Sequence, residues 1–348
     1  MFAEIVGHER IRDILGQAVR ARRLPPALLL SGPDGVGKRT LALSVARGLL
    51  CEAGPGEPCG ACSHCRRLGR SIGSLPALRE EATEATDDPV RLNLRLHPDV
   101  VLVEPWRTAT RTEIKVAQVR DLVGEAMGHP FEARARVFVI DEAHAMNEQA
   151  ANALLKSLEE PPATSHLILV TGAPQALLPT IRSRCQALRM GPLPGPTLEA
   201  HLRDRCGLGA AEAHLRAALA GGSLGAALAF ESEDYRELRE DLLAILESAG
   251  RSADRLEAAE RLAERDDAAL ALTALRSLLR DAAVLRLGAA KETLLNADVA
   301  DRLLPLSKGP VGERAAEVAA AAARTRIALR GNANKLLVMD LLMDALAS

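Results

Sequence analysis

A glycine-rich turn set between an aliphatic run and a helical stretch constrains this chain more than any other feature. Residues 27–31 (ALLLS) are too short for a helix and read as a buried strand. They lead directly into Gly32-Pro33-Asp34-Gly35-Val36-Gly37-Lys38, and a helix is predicted from Lys38 to Leu50. Glycines in such a loop let backbone amides curl around phosphate oxygens, and Lys38 adds a point charge. Further strands are predicted at 100–103, 137–140 and 167–170, alternating with helices at 8–23, 113–127 and 148–160. Asn147 is the expected N-cap of the last of these, and Pro161-Pro162 stops it. Strands alternating with helices imply a mostly parallel sheet in a three-layer α/β unit. After the Pro/Gly cluster 191–196 no strand is predicted. Residues 197–230 read as short helices, and from about 235 stripes such as Leu238, Leu242, Leu243 and Leu246 read as helix to the end.

The loop is an incomplete Walker A motif. Its next position calls for Ser or Thr, whose hydroxyl ligates Mg²⁺, and this chain has Arg39 there. A guanidinium cannot coordinate a cation and repels one. Thr40 is no substitute, because one residue further is about 100° around the helix. A Walker B pair is nonetheless present: Asp141-Glu142 follow the predicted strand VFVI, placed to hold Mg²⁺ through water and to polarise an attacking water. The loop is kept and the hydrolytic chemistry is expected to be lost.

Four of the six cysteines, Cys51, Cys59, Cys62 and Cys65, fall within fifteen residues as C-x7-C-x2-C-x2-C, while Cys185 and Cys206 stand apart. In a chain without a signal-peptide pattern at MFAEIVGHER, clustered cysteines read as metal ligands. Four thiolates close a tetrahedral structural Zn²⁺ site. An iron–sulfur cluster is the rival, but the fourth Cys-Pro of a ferredoxin run is missing. His64 reads as a solvated bystander. Residues 69–96, with Gly, Ser and Pro followed by the acids Glu80, Glu81, Glu84, Asp87 and Asp88, read as an insertion or mobile loop. The net charge of −2 and pI near 6.5 exclude a basic nucleic-acid coat, and no apolar run is long enough to span a membrane, so a cytoplasmic protein is expected.

Together these residues resemble the AAA+ clamp-loader family. The resemblance rests on Val6-Gly7, the phosphate loop, the cysteine module, His97-Pro98-Asp99 and Asp141-Glu142-Ala143-His144. It continues through Asn152-Ala153-Leu154-Leu155-Lys156, Glu159-Glu160-Pro161-Pro162 and Ile181-Arg182-Ser183-Arg184-Cys185. It implies an α/β P-loop AAA+ domain at 1–190, with a zinc module at 51–65 and the insertion at 69–96. A small helical lid at 191–232 and an all-helical collar for oligomerisation at 233–348 would follow. Gly32, Gly35, Gly37, Lys38, Arg39, Asp141, Glu142 and, as a polar sensor, Thr171 would surround nucleotide. Arg184 would be an arginine finger acting on a neighbour's ATP. Motor subunits of the gamma/tau type carry a sensor arginine where this chain has Gly225. Both losses, Arg39 and Gly225, fall on the chain's own nucleotide, while the finger is retained. The resemblance therefore implies a stator that does not hydrolyse ATP, and the intact Lys38 leaves open that ATP or ADP still binds without turnover. Gamma/tau and delta subunits would be its partners in a hetero-oligomeric ring that loads a sliding clamp onto primer–template DNA.

Three other readings stay open on the residues alone. One is a motor ATPase in which Thr40 or water completes the Mg²⁺ shell. Another is a zinc-module protein contacting nucleic acid through Arg66, Arg67 and Arg70. The third is a scaffold in which loop, metal and finger serve packing only.

Overall fold

The computed structural model describes residues 2, 4–84, 88–108, 111–230, 232–248, 260, 268–330 and 337. Parts of the expected segments lie outside these residues: 1, 3, 85–87 and 109–110 of the AAA+ domain with its insertion, 231 of the lid, and 249–259, 261–267, 331–336 and 338–348 of the collar. Two compact units are present, one of residues 1–197 with 222–225, the other of 198–221 with 226–348. The segment 191–232 is thus divided between them. Among the described residues no helix is long and apolar enough to cross a membrane.

The first unit is built on a six-stranded sheet. Its strands are β1 (Ala27–Ser31), β2 (Asn93–His97), β3 (Val100–Val103), β4 (Arg136–Ile140), β5 (Ser165–Thr171) and β6 (Gln186–Arg189). They lie in the order β2-β3-β4-β5-β1-β6, all parallel except β2 against β3. Every residue of β1, β3 and β4 is buried, as strands covered on both faces require. Helices α1 (Glu9–Arg20), α2 (Lys38–Leu50), α3 (Ser63–Gly73) and α4 (Leu75–Glu84) precede β2 in the chain, and α5 (Val116–Ala126), α6 (Glu148–Glu159) and α7 (Pro179–Arg184) follow β3. One apolar layer joins Leu28, Leu30, Leu41, Val45 and Val139, and the opposite layer joins Leu29, Phe138, Ile140, Leu154 and Leu169. Asn147 caps α6, its Oδ1 accepting the Ala150 amide at 2.9 Å.

Two expectations are corrected. The segment 69–96 is no loop where it is described: it continues α3, forms α4 and a short 3₁₀ turn, and ends in edge strand β2. A strand absent from the sequence reading, β6, pairs with β1 from Leu28↔Gln186 to Ser31↔Arg189.

His-Pro-Asp has a structural role. Asp99 is buried and its carboxylate accepts the amides of Phe131, Glu132 and Ala133 at 2.6–2.9 Å. Burial alone would raise its pKa, but the three amides outweigh burial and hold it below the ordinary value.

His166 on β5 offers a pH test. Its Nδ1 donates to the Pro25 carbonyl at 3.4 Å, and burial lowers its pKa below 6.5. The unfolded chain then binds more protons than the folded one just below pH 6.5, so stability falls as pH drops through that range. The slope from this one group is at most about 1.4 kcal/mol per pH unit. Urea midpoints at neutral and mildly acidic pH should therefore converge in His166→Gln relative to wild type. An unchanged gap would assign the acid sensitivity elsewhere.

The second unit is helical. Among the described residues it contains α8 (Gly195–Cys206, from Leu198), α9 (Ala210–Leu219), α10 (Leu224–Ala229, from Ala226) and α11 (Ser232–Ser248). Helices α12 (Ala268–Arg286), α13 (Ala300–Lys308) and α14 (Pro310–Arg330) follow among the described residues. Leu272, Leu275, Leu279 and Ala282 recur at helical spacing on α12 and are all buried, packed with Leu238, Leu242, Leu303 and Val318.

Candidate phosphate-binding site and metal centre

Parallel strands place their C-terminal ends along one sheet edge, and the phosphate loop after β1 lies there beside the ends of β3, β4 and β5. Glu104, Asp141 and Thr171 therefore converge on it from three strands. The loop runs through positive φ at Gly32 (148°), Gly35 (72°) and Gly37 (96°), the last being the N-cap of α2. His8 holds it from outside, Nε2 donating to the Val36 carbonyl at 3.2 Å.

Lys38 is 8% exposed, and burial lowers its pKa. Its Nζ donates to the carbonyls of Gly32 (2.7 Å) and Pro33 (2.5 Å) and lies 3.7 Å from Asp34. The ammonium is thus turned onto its own loop.

Arg39 Nη1 lies 3.3 Å from Asp141 Oδ2 and 3.3 Å from Glu104 Oε1. Glu104 also takes Arg79 of α4 in a two-bond fork, both contacts at 2.5 Å, which raises the Arg79 pKa. The other Walker B carboxylate, Glu142, is ion-paired to Arg107 and adopts a left-handed backbone at φ 46°, a strained conformation for a residue with a Cβ. Thr171 is buried; its Oγ1 accepts the Ala173 amide at 3.0 Å and lies 3.2 Å from His144 Nδ1.

The place of the absent sensor arginine is filled by backbone. Gly225 N donates to the Gly35 carbonyl at 2.9 Å, and a Cβ on Gly225 would come within 3.0 Å of Gly35 Cα. A Cβ on Gly35 would collide with Ser223 Oγ at 2.1 Å. Any side chain at 225 would thus require the backbone at Gly35 to give by a few tenths of an ångström.

Arg184 ends α7 on the surface. It pairs with Glu159 at 2.6 Å, and its Nη1 donates to the Thr180 carbonyl at 3.1 Å. The next residue turns inward: Cys185 is buried in the α6–α7 layer, and burial pushes its thiol up to about 11. Ser-Arg-Cys therefore anchors by its cysteine and presents its arginine.

The sulfurs of Cys51, Cys59, Cys62 and Cys65 all lie within 4.8 Å of one another. A tetrahedral zinc with bonds of about 2.3 Å holds its sulfurs about 3.8 Å apart, so the set fits. Backbone amides point at three of them: Cys59 N to Cys51 Sγ, Cys62 N to Cys59 Sγ and Cys65 N to Cys62 Sγ, at 3.3–3.5 Å. Such amides favour thiolate. Those of Ala61 and Cys62 lower the Cys59 pKa to about 6, whereas burial pushes Cys65 up to about 12. A divalent cation bound among them would make all four thiolates. The expected zinc content is about one per chain by elemental analysis, lost when Cys62 and Cys65 are both replaced by Ala, with the module unfolding. Zinc retained by that variant would reject these ligands.

His64 corrects the solvated-bystander reading. Its Nδ1 lies 2.9 Å from Nε2 of buried His97. His97 Nδ1 accepts the Asp99 amide at 3.1 Å, so its Nε2 carries the proton and donates to His64. His64, His97 and Glu132 are close enough to share a metal, but a protonated Nε2 cannot ligate one. The pair instead ties the cysteine module to the β2–β3 hairpin.

The residues that the sequence reading missed are Glu104, Arg79, Arg107 and His8, while Glu159 stood in it only within the Glu-Glu-Pro-Pro motif. Glu104 carried a signal, an acid immediately after the strand VVLV, as Asp141 follows VFVI. Arg79, Arg107 and His8 carried none.

Residues 7–194, more than half of the chain, match the family described as DNA polymerase III, delta subunit. Over 207 residues the chain is 36% identical to DNA polymerase III subunit gamma/tau of Mycobacterium bovis, covering 59% of this chain and 31% of that protein. Over 171 residues it is 40% identical to subunit delta' of Pseudomonas aeruginosa, covering 49% of this chain and 44% of that one. The chain thus spans less than half the length of either relative. A solved gamma subunit-related protein of Thermotoga maritima aligns over 97% of each chain at 17% identity, with a TM-score of 0.37.

Proposed function

Since the chain belongs to the DNA polymerase III, delta subunit family, we propose that it is a clamp-loader subunit of the delta-prime type. On this reading it is a stator that does not hydrolyse ATP and completes a neighbour's ATP site with Arg184. Its AAA+ domain would span 1–190, its lid 191–232 and its collar 233–348. Gamma/tau and delta would be its partners in a ring acting on a sliding clamp and primer–template DNA. Zn²⁺ on Cys51, Cys59, Cys62 and Cys65 would be structural, and ATP or ADP would bind without turnover.

One observation carries the reading: the guanidinium of Arg39 sits between Asp141 and Glu104, on the carboxylate that a motor needs for Mg²⁺. The other Walker B acid, Glu142, pairs with Arg107 only at the surface, a contact worth about 0–1 kcal/mol. Arg184 meanwhile stands 36% exposed at the surface. A permanently charged, planar group there suits the γ-phosphate of an adjoining site.

The alternative is a gamma/tau-type motor, favoured by the intact Lys38 and the Asp141-Glu142 pair. Phosphate release by the chain alone separates the two. A stator stays at the protein-free baseline with Mg²⁺ and DNA present, yet raises turnover when added to gamma/tau and delta. Sustained turnover by the isolated chain would establish the motor instead.

A further inference from the structure

Mg²⁺ does not fit the phosphate loop of this chain. It takes near-octahedral oxygen ligands at about 2.1 Å, one of them supplied by a Ser or Thr after the loop lysine. Here that position sends a guanidinium to the carboxylate of Asp141, 3.3 Å away. The positive charge at this corner is doubled by Arg79, which reaches it from α4 and shares the 7%-exposed Glu104 with Arg39. The segment carrying α4, which had no role in the sequence reading, thus delivers a cation to the loop's metal side. Arg39, Arg79 and Arg107 line one cavity together with Glu104, Trp106 and Glu142. Among the described residues both contacts of Arg39 are made by Nη1, and its side chain is 42% exposed. Nη2 and Nε therefore remain for a phosphate oxygen, in the fork geometry that suits one.

We propose that Arg39 and Arg79 form a built-in counter-ion. The loop takes the phosphate chain of a nucleoside di- or triphosphate without a divalent cation, arginine charge standing where Mg²⁺ would. The inference rests on the reading that the loop binds nucleotide, and it adds which cation accompanies the ligand. In a loop followed by Ser or Thr, chelation removes the charge that neutralises the phosphates and leaves the Walker B acid unpaired. In this chain Asp141 is already paired, and the neutralising groups are covalently part of the protein.

The test is a fluorescence-anisotropy titration of the full chain with N-methylanthraniloyl-ADP and -ATP, once in MgCl₂ and once in EDTA. For the wild type, Kd in the two buffers should agree within about threefold. Arg39→Thr should weaken binding about tenfold in EDTA and recover it in MgCl₂. Arg79→Gln should weaken binding severalfold in EDTA, with circular dichroism showing the fold retained. Wild-type binding that needs Mg²⁺ would overturn the proposal and leave nucleotide binding standing. Binding in neither buffer would overturn both, leaving the role of Arg184 untouched. If Arg39→Thr does not fold, the wild-type comparison decides alone.

Discussion

Replacing Arg184 by alanine is expected to slow ATP turnover at the adjoining motor site by on the order of 10³-fold, the scale on which arginine fingers act in GTPases. The loss should appear only in the reconstituted complex with gamma/tau and delta. Within this chain Arg184 contributes one exposed ion pair with Glu159 and one bond to the Thr180 carbonyl. Such surface pairs are worth about 0–1 kcal/mol, so the variant should fold and join the ring like the wild type. Arg184→Lys should fall between the two, because lysine keeps the charge and loses the planar fork. Single-turnover kinetics of that site with each variant make the comparison. Turnover within about twofold of wild type for Arg184→Ala would reject the finger and leave Ser-Arg-Cys as a packing motif.

The second large effect concerns stability. Asp281 is wholly buried in the helical unit, and its carboxylate accepts the Leu295 amide (3.1 Å), the Asn296 amide (2.8 Å) and Asn296 Nδ2 (2.9 Å). It also pairs with Arg280 at 2.7 Å. Asn296 Oδ1 in turn accepts the Tyr235 hydroxyl at 2.7 Å, and Ser277 joins the same buried network. Asp281→Ala leaves several buried donors without acceptors, and at about 1–3 kcal/mol each the expected loss is about 3–5 kcal/mol. The chain has one Trp and one Tyr, and they fall in different units: Trp106 in the first, Tyr235 in the second. Denaturant titrations followed by tyrosine and by tryptophan emission therefore read the units separately. The tyrosine midpoint should fall sharply while the tryptophan midpoint moves little. Equal shifts would mean that the two units unfold as one.

The central strands were legible because a parallel sheet covered on both faces demands continuous apolar runs, and ALLLS, VVLV and the LILV within β5 are such runs. The edge strands were not. β2 (NLRLH) exposes Arg95, and β6 (QALR) is exposed at three of its four positions; each is held by backbone pairing to one neighbour, for which side chains carry little signal. The α4 segment was obscured for a similar reason. Its acidic residues suggest solvated loop, whereas Leu75 and Ala82 pack into the core.

The site divides in the same way. A glycine-rich loop between strand and helix, an arginine after its lysine, and four cysteines in one short module can all be read from the chain alone. Those are matters of local spacing along the chain. Tertiary structure alone decided that Arg39 meets Glu104 and Asp141, 65 and 102 residues away, and that Arg79 joins it from a helix with no motif of its own. It also decided that His64 is bonded to His97 and that Gly225 lies on the phosphate loop. A charge in a sequence does not name its partner. Which carboxylate it meets is set by the sheet order β3-β4-β5-β1, which brings the four strand ends that carry the site to one edge.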